Sequence, residues 1–212
     1  MPEIVSPQEW EVARAELLVQ EKEATRLLDE LAAQRRRLPM VRFGQYTFTG
    51  PHGPATLVDL FAGRRQLVVY QMMDNGPDDY CAGCSSYTDN VGRLEHLNAR
   101  DTTYATVSNM PIEQMTAYWQ RMGWTMPYYS SRGTTFSDDC GAGGLFGVSV
   151  FLRDGDDVYR TYFTTSRGVD RLRFDFNILD LTPYGRQEEW EDSPAGWPQS
   201  KPYQWWRLHD EY

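Results

Sequence analysis

The chain has 212 residues, 41% of them hydrophobic and 24% charged, a balance that supports a packed core and excludes wholesale disorder. Its formal net charge of −9 excludes a role built on gripping phosphate backbones, which takes clustered Lys and Arg, so no nucleic-acid partner is expected. There is no run of ~18 apolar residues, so no membrane span is expected. Met1 to Glu9 lacks a basic stretch followed by an apolar one, so the expected location is cytoplasmic.

Ser6-Pro7-Gln8-Glu9 predicts a helix start, with Ser6 as N-cap, Pro7 at the first helical position and Glu9 closing a capping box. Positions 10, 13, 17, 20, 24, 27 and 31 are apolar except Gln20, which fits an amphipathic helix running to about Arg37, before Pro39. That helix is expected to pack on the rest of the chain or on a dimer mate. Arg35-Arg36-Arg37 complements its C-terminal dipole. Val41 to Phe48 reads as a strand pair or one bent strand with Gly44 between, and Gly50-Pro51-His52-Gly53 as a turn with a solvated His52. Ala55 to Ala62 carries a helical period through Leu57, Leu60 and Phe61. Gln66 to Met73 reads as a strand buried on both faces.

After an acidic loop, Asp74 to Tyr80, comes Cys81-Ala82-Gly83-Cys84. Residues 85–98 then read as a helix, Thr102 to Val107 as a strand, Pro111 to Met122 as a helix stopped by Gly123, and Trp124 to Tyr129 as a strand. Val148 to Leu152 and Val158 to Phe163 flank Asp154-Gly155, the clearest hairpin signal in the chain. A helix over 168–178 follows. Beyond Pro183 the chain is rich in Pro and Trp and holds Trp190, Trp197, Trp205 and Trp206. The organisation is an N-terminal helix over 1–39, a domain over 40–180, and a C-terminal strap over 181–212.

Strand, helix with CxxC at its head, strand, helix, hairpin and helix is the element order of the thioredoxin fold, an α/β three-layer sandwich. The spacing has roughly a 3% chance of arising at random among three cysteines in this length, before its strand-to-helix context is counted. A thiolate is the reactive form of cysteine, and free N–H groups at a helix start stabilise it. Cys81 is therefore the expected nucleophile and Cys84 the resolving thiol of a thiol–disulfide oxidoreductase without a cofactor, acting on a protein or small-molecule thiol or disulfide. Asp74, Asp78 and Asp79 oppose the helix start by raising the thiol pKa. Tyr80 and Ser85, the motif's immediate neighbours, are auxiliary candidates.

Two other readings use the same residues. In a peroxidase register, Pro77 and Cys81 align with the Pro and the Thr or Ser that precede a peroxide-reactive cysteine; Cys84 attacks peroxide and Cys81 resolves the sulfenic acid. In a non-catalytic register the protein binds a small ligand, or copper or zinc on Cys81 and Cys84, with Cys140 and His96 as the further ligands at hand. Cys140, in Asp138-Asp139-Cys140-Gly141, is an inert thiol, a third redox thiol or a ligand.

The chain resembles a bacterial family of predicted thioredoxin-like dithiol–disulfide oxidoreductases, domain-of-unknown-function family 899. The resemblance runs over almost the whole length, through Cys81-Ala-Gly-Cys84-Ser85, His96 to Asp101, Arg121 to Trp124, Ser149 to Asp156, Leu179 to Arg186 and Trp205 to Tyr212. It implies the thioredoxin fold and a redox role for the cysteine pair. Thioredoxins proper place a cis-Pro before the first hairpin strand. Here that stretch is Leu145-Phe146-Gly147-Val148, and the loop from Met73 to Cys81 is long; both features lean toward the peroxiredoxin branch. The strap is expected to bury its Trp residues against the core, to form a dimer interface, or to place Trp205, Arg207 or His209 over the cysteines. In the last case His209 would act as acid or base for Cys81.

Overall fold

The computed structural model describes residues 1–212. Helix α1 spans Pro7–Arg35 and opens on the expected capping box: the Ser6 side chain accepts from the Glu9 N–H at 3.3 Å, and the Glu9 carboxylate accepts from the Ser6 N–H at 2.9 Å. No residue of α1 is buried, so the expected packing of its stripe is not made within the chain. The reason is visible in the sequence, since Val12, Leu18, Val19 and Leu28 spread apolar surface off the stripe. The helix meets the domain near its end, where Arg35 lies over the Tyr162 ring at 5.4 Å.

Eight strands form one mixed sheet in the order β1-β8-β7-β4-β5-β6-β2-β3. They are β1 (Val41–Phe43), β2 (Thr47–Gly50), β3 (Gly53–Thr56), β4 (Gln66–Met72), β5 (Thr102–Ser108), β6 (Tyr128–Ser130), β7 (Gly147–Asp154) and β8 (Asp157–Thr164). At the centre, β4 runs parallel to β5 and antiparallel to β7, and β7 pairs with β8 across the turn at Gly155. The order β8-β7-β4-β5, with a helix between β4 and β5, is the thioredoxin core. To it β6 adds a further parallel strand beside β5.

Alternation along β4 divides the core in two. Leu67 and Val69 enter a cluster with Phe48, Phe61, Phe136 and Phe151; Tyr70 and Met72 enter the other, with Cys84, Tyr87, Met115 and Trp119. The second face is covered by helices α2 (Ala82–Asp89) and α4 (Ile112–Met122), the crossovers that carry β4 to β5 and β5 to β6. The first is covered by a 3-10 turn at Asp59–Phe61 and the short α5 (Phe136–Asp139). This is a three-layer α/β sandwich of thioredoxin type.

Three expected helices change form. Ala55 and Thr56 are drawn into the β2–β3 hairpin, and the Asp59 carboxylate accepts from the Thr56 N–H at 2.7 Å, which starts a 3-10 turn instead. The helix expected over 85–98 splits into α2 and α3 (Glu95–Asn98). At the break the Asn90 amide donates back to the Ser86 carbonyl at 2.6 Å, and its oxygen accepts from the Asp175 N–H at 2.7 Å. The helix expected over 168–178 breaks at Arg173, which takes extended backbone between a 3-10 stretch, Ser166–Leu172, and α6, Phe174–Leu179. The Arg173 side chain is buried and held by Asp175 and Ser86, so its own anchoring sets the break. Helix α4 does end at Gly123, in the left-handed region at φ 65°. Gly123→Ala is expected to cost about 1 kcal/mol by urea unfolding, because the site has room for a methyl group but the conformation disfavours one.

Candidate active site

Strand β4 delivers the chain to the cysteine motif through the loop Met73 to Tyr80. That loop turns on an Asx contact, the Asp74 carboxylate accepting from the Gly76 N–H at 3.0 Å, and is tied to α4 where Gln114 donates to the Gly76 carbonyl at 3.0 Å. Cys81 is then the N-cap of α2, and its sulfur accepts from the Cys84 N–H at 3.3 Å. Cys81 is half-buried and Cys84 is buried. Tyr80 and Ser85 brace this turn. Ser85 donates to the Cys81 carbonyl at 2.9 Å and shares a 2.5 Å hydrogen bond with the Tyr118 hydroxyl, while Tyr80 stacks on Tyr118 with centroids 3.6 Å apart.

The two thiols differ sharply in acidity. Cys81 falls from 9.0 to about 6, chiefly because the Cys84 thiol hydrogen-bonds to it; the Cys84 and Gly83 N–H groups at the helix start add to this against burial and the Asp79 charge. The opposition expected between helix start and acidic loop therefore resolves in favour of the thiolate. Cys84 is pushed well above 9.0, by the same hydrogen bond and by burial. Iodoacetamide alkylation of native reduced protein is thus expected to label Cys81, with a rate that rises through a midpoint near pH 6. The linkage has a definite sign, because between about pH 6 and 9 the unfolded thiol keeps the proton that the folded one has lost. Relative to Cys81→Ser, reduced wild type should gain stability as pH rises through that window and lose it as pH falls through 6.

The pair faces a cleft of about 280 Å³ between α2, β4, the segment before β7, the 3-10 stretch Ser166–Leu172 and the strap. Tyr70, Met73 and Phe146 line one side, Val169 and Arg173 another, and Tyr203 and Trp206 the roof. Trp206 packs on the motif itself: a Cβ built on Gly83 would lie 2.4 Å from its ring. Trp206 is held by stacking, at 4.4 Å on Tyr203 and 6.1 Å on Phe176, with Arg173 4.8 Å from its ring. No Pro precedes β7; the position belongs to Phe146, which turns toward the cleft.

The other candidate residues are not brought to the pair. His209 hydrogen-bonds to Asp89 at 2.7 Å, at the far end of α2, about 12 Å from Cys81 at 1.5 Å per residue. Leu208 is buried in the core there and Arg121 pairs with Asp210 at 2.7 Å, so the chain end is fixed away from the cysteines. Trp205 turns to the buried Glu188, and Arg207 is exposed, bonded to the carbonyls of Gln204 and Trp206. Cys140 lies on the opposite face of the sheet, among Phe48, Phe136 and Phe151, with its thiol pushed up to about 12 by burial. His96 is exposed on α3. The set Cys81, Cys84, Cys140 and His96 therefore does not converge, and no group of three His, Cys, Asp or Glu side chains is placed to hold a metal ion. Sequence reasoning did not single out Tyr70, Phe146 or Arg173. The first reads as strand core, the second marks only a missing Pro, and the third joins the site through a tertiary contact.

A cysteine pair at the head of α2, in a sheet with this strand order, defines a thioredoxin-like protein. The chain belongs to a bacterial protein family of unknown function, DUF899, whose model matches residues 1–212. No curated protein matches it. Among solved structures, the chain is similar to a putative thiol:disulfide interchange protein DsbE from Chlorobium tepidum, with 9% identity, 63% of this chain and 91% of that one covered, and a TM-score of 0.46. It is similar to the peroxidoxin BcpB from Mycobacterium tuberculosis, with 14% identity, 64% and 93% coverage and a TM-score of 0.42. It is also similar to a hypothetical protein from Sinorhizobium meliloti, with 12% identity, 59% and 69% coverage and a TM-score of 0.43. No helix is long and apolar enough to cross a membrane.

Proposed function

We propose that this protein is a thiol–disulfide oxidoreductase in which Cys81 attacks and Cys84 resolves. The observation that carries the reading is the geometry of one helix turn: Cys81 is the half-buried N-cap of α2, its sulfur accepts from the Cys84 N–H at 3.3 Å, and Cys84 is buried, an arrangement that lowers the Cys81 pKa and raises that of Cys84. Near neutral pH, Cys81 is then largely thiolate while Cys84 keeps its proton. The thiolate attacks a substrate disulfide, the S–S bond breaks, one thiolate leaves, and a mixed disulfide forms on Cys81. Loss of the Cys81 charge weakens the hydrogen bond that kept Cys84 protonated. Cys84 then releases its proton and attacks the Cys81 sulfur, expelling the second thiolate. The protein ends oxidised by two electrons and the substrate reduced by two.

The burial of Cys84 speaks against the peroxidase register, which asks that residue and not the more exposed Cys81 to meet the oxidant first. A redox titration read by alkylation and intact mass tests the proposal. The expected result is one two-electron transition joining Cys81 to Cys84, with a midpoint of roughly −120 to −270 mV. A pair that forms no disulfide across that range overturns it.

A further inference from the structure

We propose that the substrate is a small apolar disulfide taken into the cleft between α2 and the strap, not the exposed disulfide of a folded protein. This rests on the dithiol reading above. The cleft measures about 280 Å³, whereas an apolar cavity of about 150 Å³ already holds benzene, so the space suits a body of two rings. That volume lies just below the usual range of ligand sites, ~300–1,000 Å³, which points to a small ligand. Its walls are carbon-rich, from Met73, Phe146, Val169 and Trp206, and both cysteines line it.

The buried cation in its wall, Arg173, already has its partners, and the more exposed charges at the rim are paired with one another. Arg173 is bound to Asp175 and Ser86, Arg167 pairs with Asp170 at 3.3 Å, and Asp170 also receives Arg186 at 3.0 Å. A substrate carboxylate or ammonium taken deep into the cleft would lose water against apolar walls whose one buried cation, Arg173, is already paired, which disfavours peptide-like disulfides. Access is restricted as well. Trp206 sits so tightly on Gly83 that no side chain fits between them, and the chain's own tail therefore covers the surface next to Cys81 that a protein partner would have to reach.

In the resulting step, the Cys81 thiolate attacks one sulfur of R–S–S–R. A Cys81–S–S–R bond forms, RS⁻ leaves and takes a proton from water, and Cys84 expels the second RS⁻ as the protein disulfide closes. An external dithiol resets the pair between turnovers; a single turnover needs none.

The test is single-turnover oxidation of the reduced full-length protein by 4,4′-dipyridyl disulfide, by oxidised glutathione and by insulin. Each rate is divided by that of dithiothreitol with the same disulfide, which cancels intrinsic reactivity. The expected result is a normalised rate with dipyridyl disulfide at least a hundredfold above the other two. Trp206→Ala should shrink that preference about tenfold, with the iodoacetamide rate reporting the intrinsic reactivity of Cys81. Should that variant lose its fold, wild type alone decides, since unreactive 4,4′-bipyridine should slow alkylation of Cys81. A Cys81–Cys84 disulfide that forms with no apolar preference, or fastest with insulin, overturns this proposal and leaves the dithiol reading standing. A pair that no oxidant closes overturns both.

Discussion

Cys81→Ser is expected to lower disulfide turnover by roughly a thousandfold or more, while Cys84→Ser should complete one attack and stop. The two residues are three apart in one helix turn, yet the structure gives them unlike tasks. Cys81 accepts from the Cys84 N–H and is half-buried, so its charge is stabilised and reachable. Serine at 81 offers a hydroxyl that stays protonated at neutral pH and cannot replace the thiolate. Cys84 is only 2% exposed, so the remaining thiol of that variant does not reach substrate, and its burial still disfavours the thiolate. In Cys84→Ser the attacking thiolate survives, and the mixed disulfide on Cys81 has no neighbour to resolve it. Intact mass should then show one substrate half attached per chain, released by reductant. The Cys81 midpoint should also rise from about 6, because the hydrogen bond that contributes most to its acidity comes from the Cys84 thiol. Accumulated adduct in Cys81→Ser, with none in Cys84→Ser, would reverse the assignment.

How much of this was legible in the sequence differs by element. The central sheet was, because β4 and β5 are mostly apolar or β-branched runs and Asp154-Gly155 can hardly be anything but a hairpin turn. The cysteine pair was too, since spacing and helix context are both local. Helix lengths were not: Arg173 and Asn90 break helices through partners 87 and 85 residues away, a distance that no periodicity reports. The roof of the cleft was half legible. The density of Trp in the tail announces a strap packed on the domain, yet none of its four Trp is fully buried and Trp190 is exposed, and Trp205, Trp206 and His209, near neighbours in sequence, turn to three different places. Which one reaches the cysteines is decided by Glu188, whose side chain takes Trp205, and by Leu208, whose burial carries His209 to the far end of α2. Gly83 shows the same limit from the other side. Within CxxC it reads as an arbitrary spacer, and only the 2.4 Å approach of Trp206 shows why a side chain is not tolerated there.

Glu188→Ala is expected to lower stability by about 3–5 kcal/mol, or to release the strap outright. Glu188 has no solvent exposure, and its carboxylate accepts three donors: the Trp190 indole at 2.6 Å, the Trp205 indole at 3.0 Å and the Tyr203 N–H at 2.8 Å. Alanine leaves all three without an acceptor, at about 1–3 kcal/mol for each that stays buried. For a chain of this size, 1 kcal/mol shifts Tm by about 2–4 °C, so a fall of roughly 10 °C is expected if unfolding remains one transition. The strap contains Tyr203, whose stacking holds Trp206 over Gly83, so the loss should reach the cleft. Tryptophan emission should shift to the red, iodoacetamide should reach Cys81 faster, and the preference for dipyridyl disulfide should fall as it does in Trp206→Ala. Glu188→Gln separates charge from shape. It keeps one acceptor oxygen but turns an N–H toward a donor, so a loss of about 1–3 kcal/mol is expected with the strap still docked. An alanine variant that melts like wild type and keeps its preference would show that the strap is held by the Arg173 and Phe176 contacts with Trp206 instead.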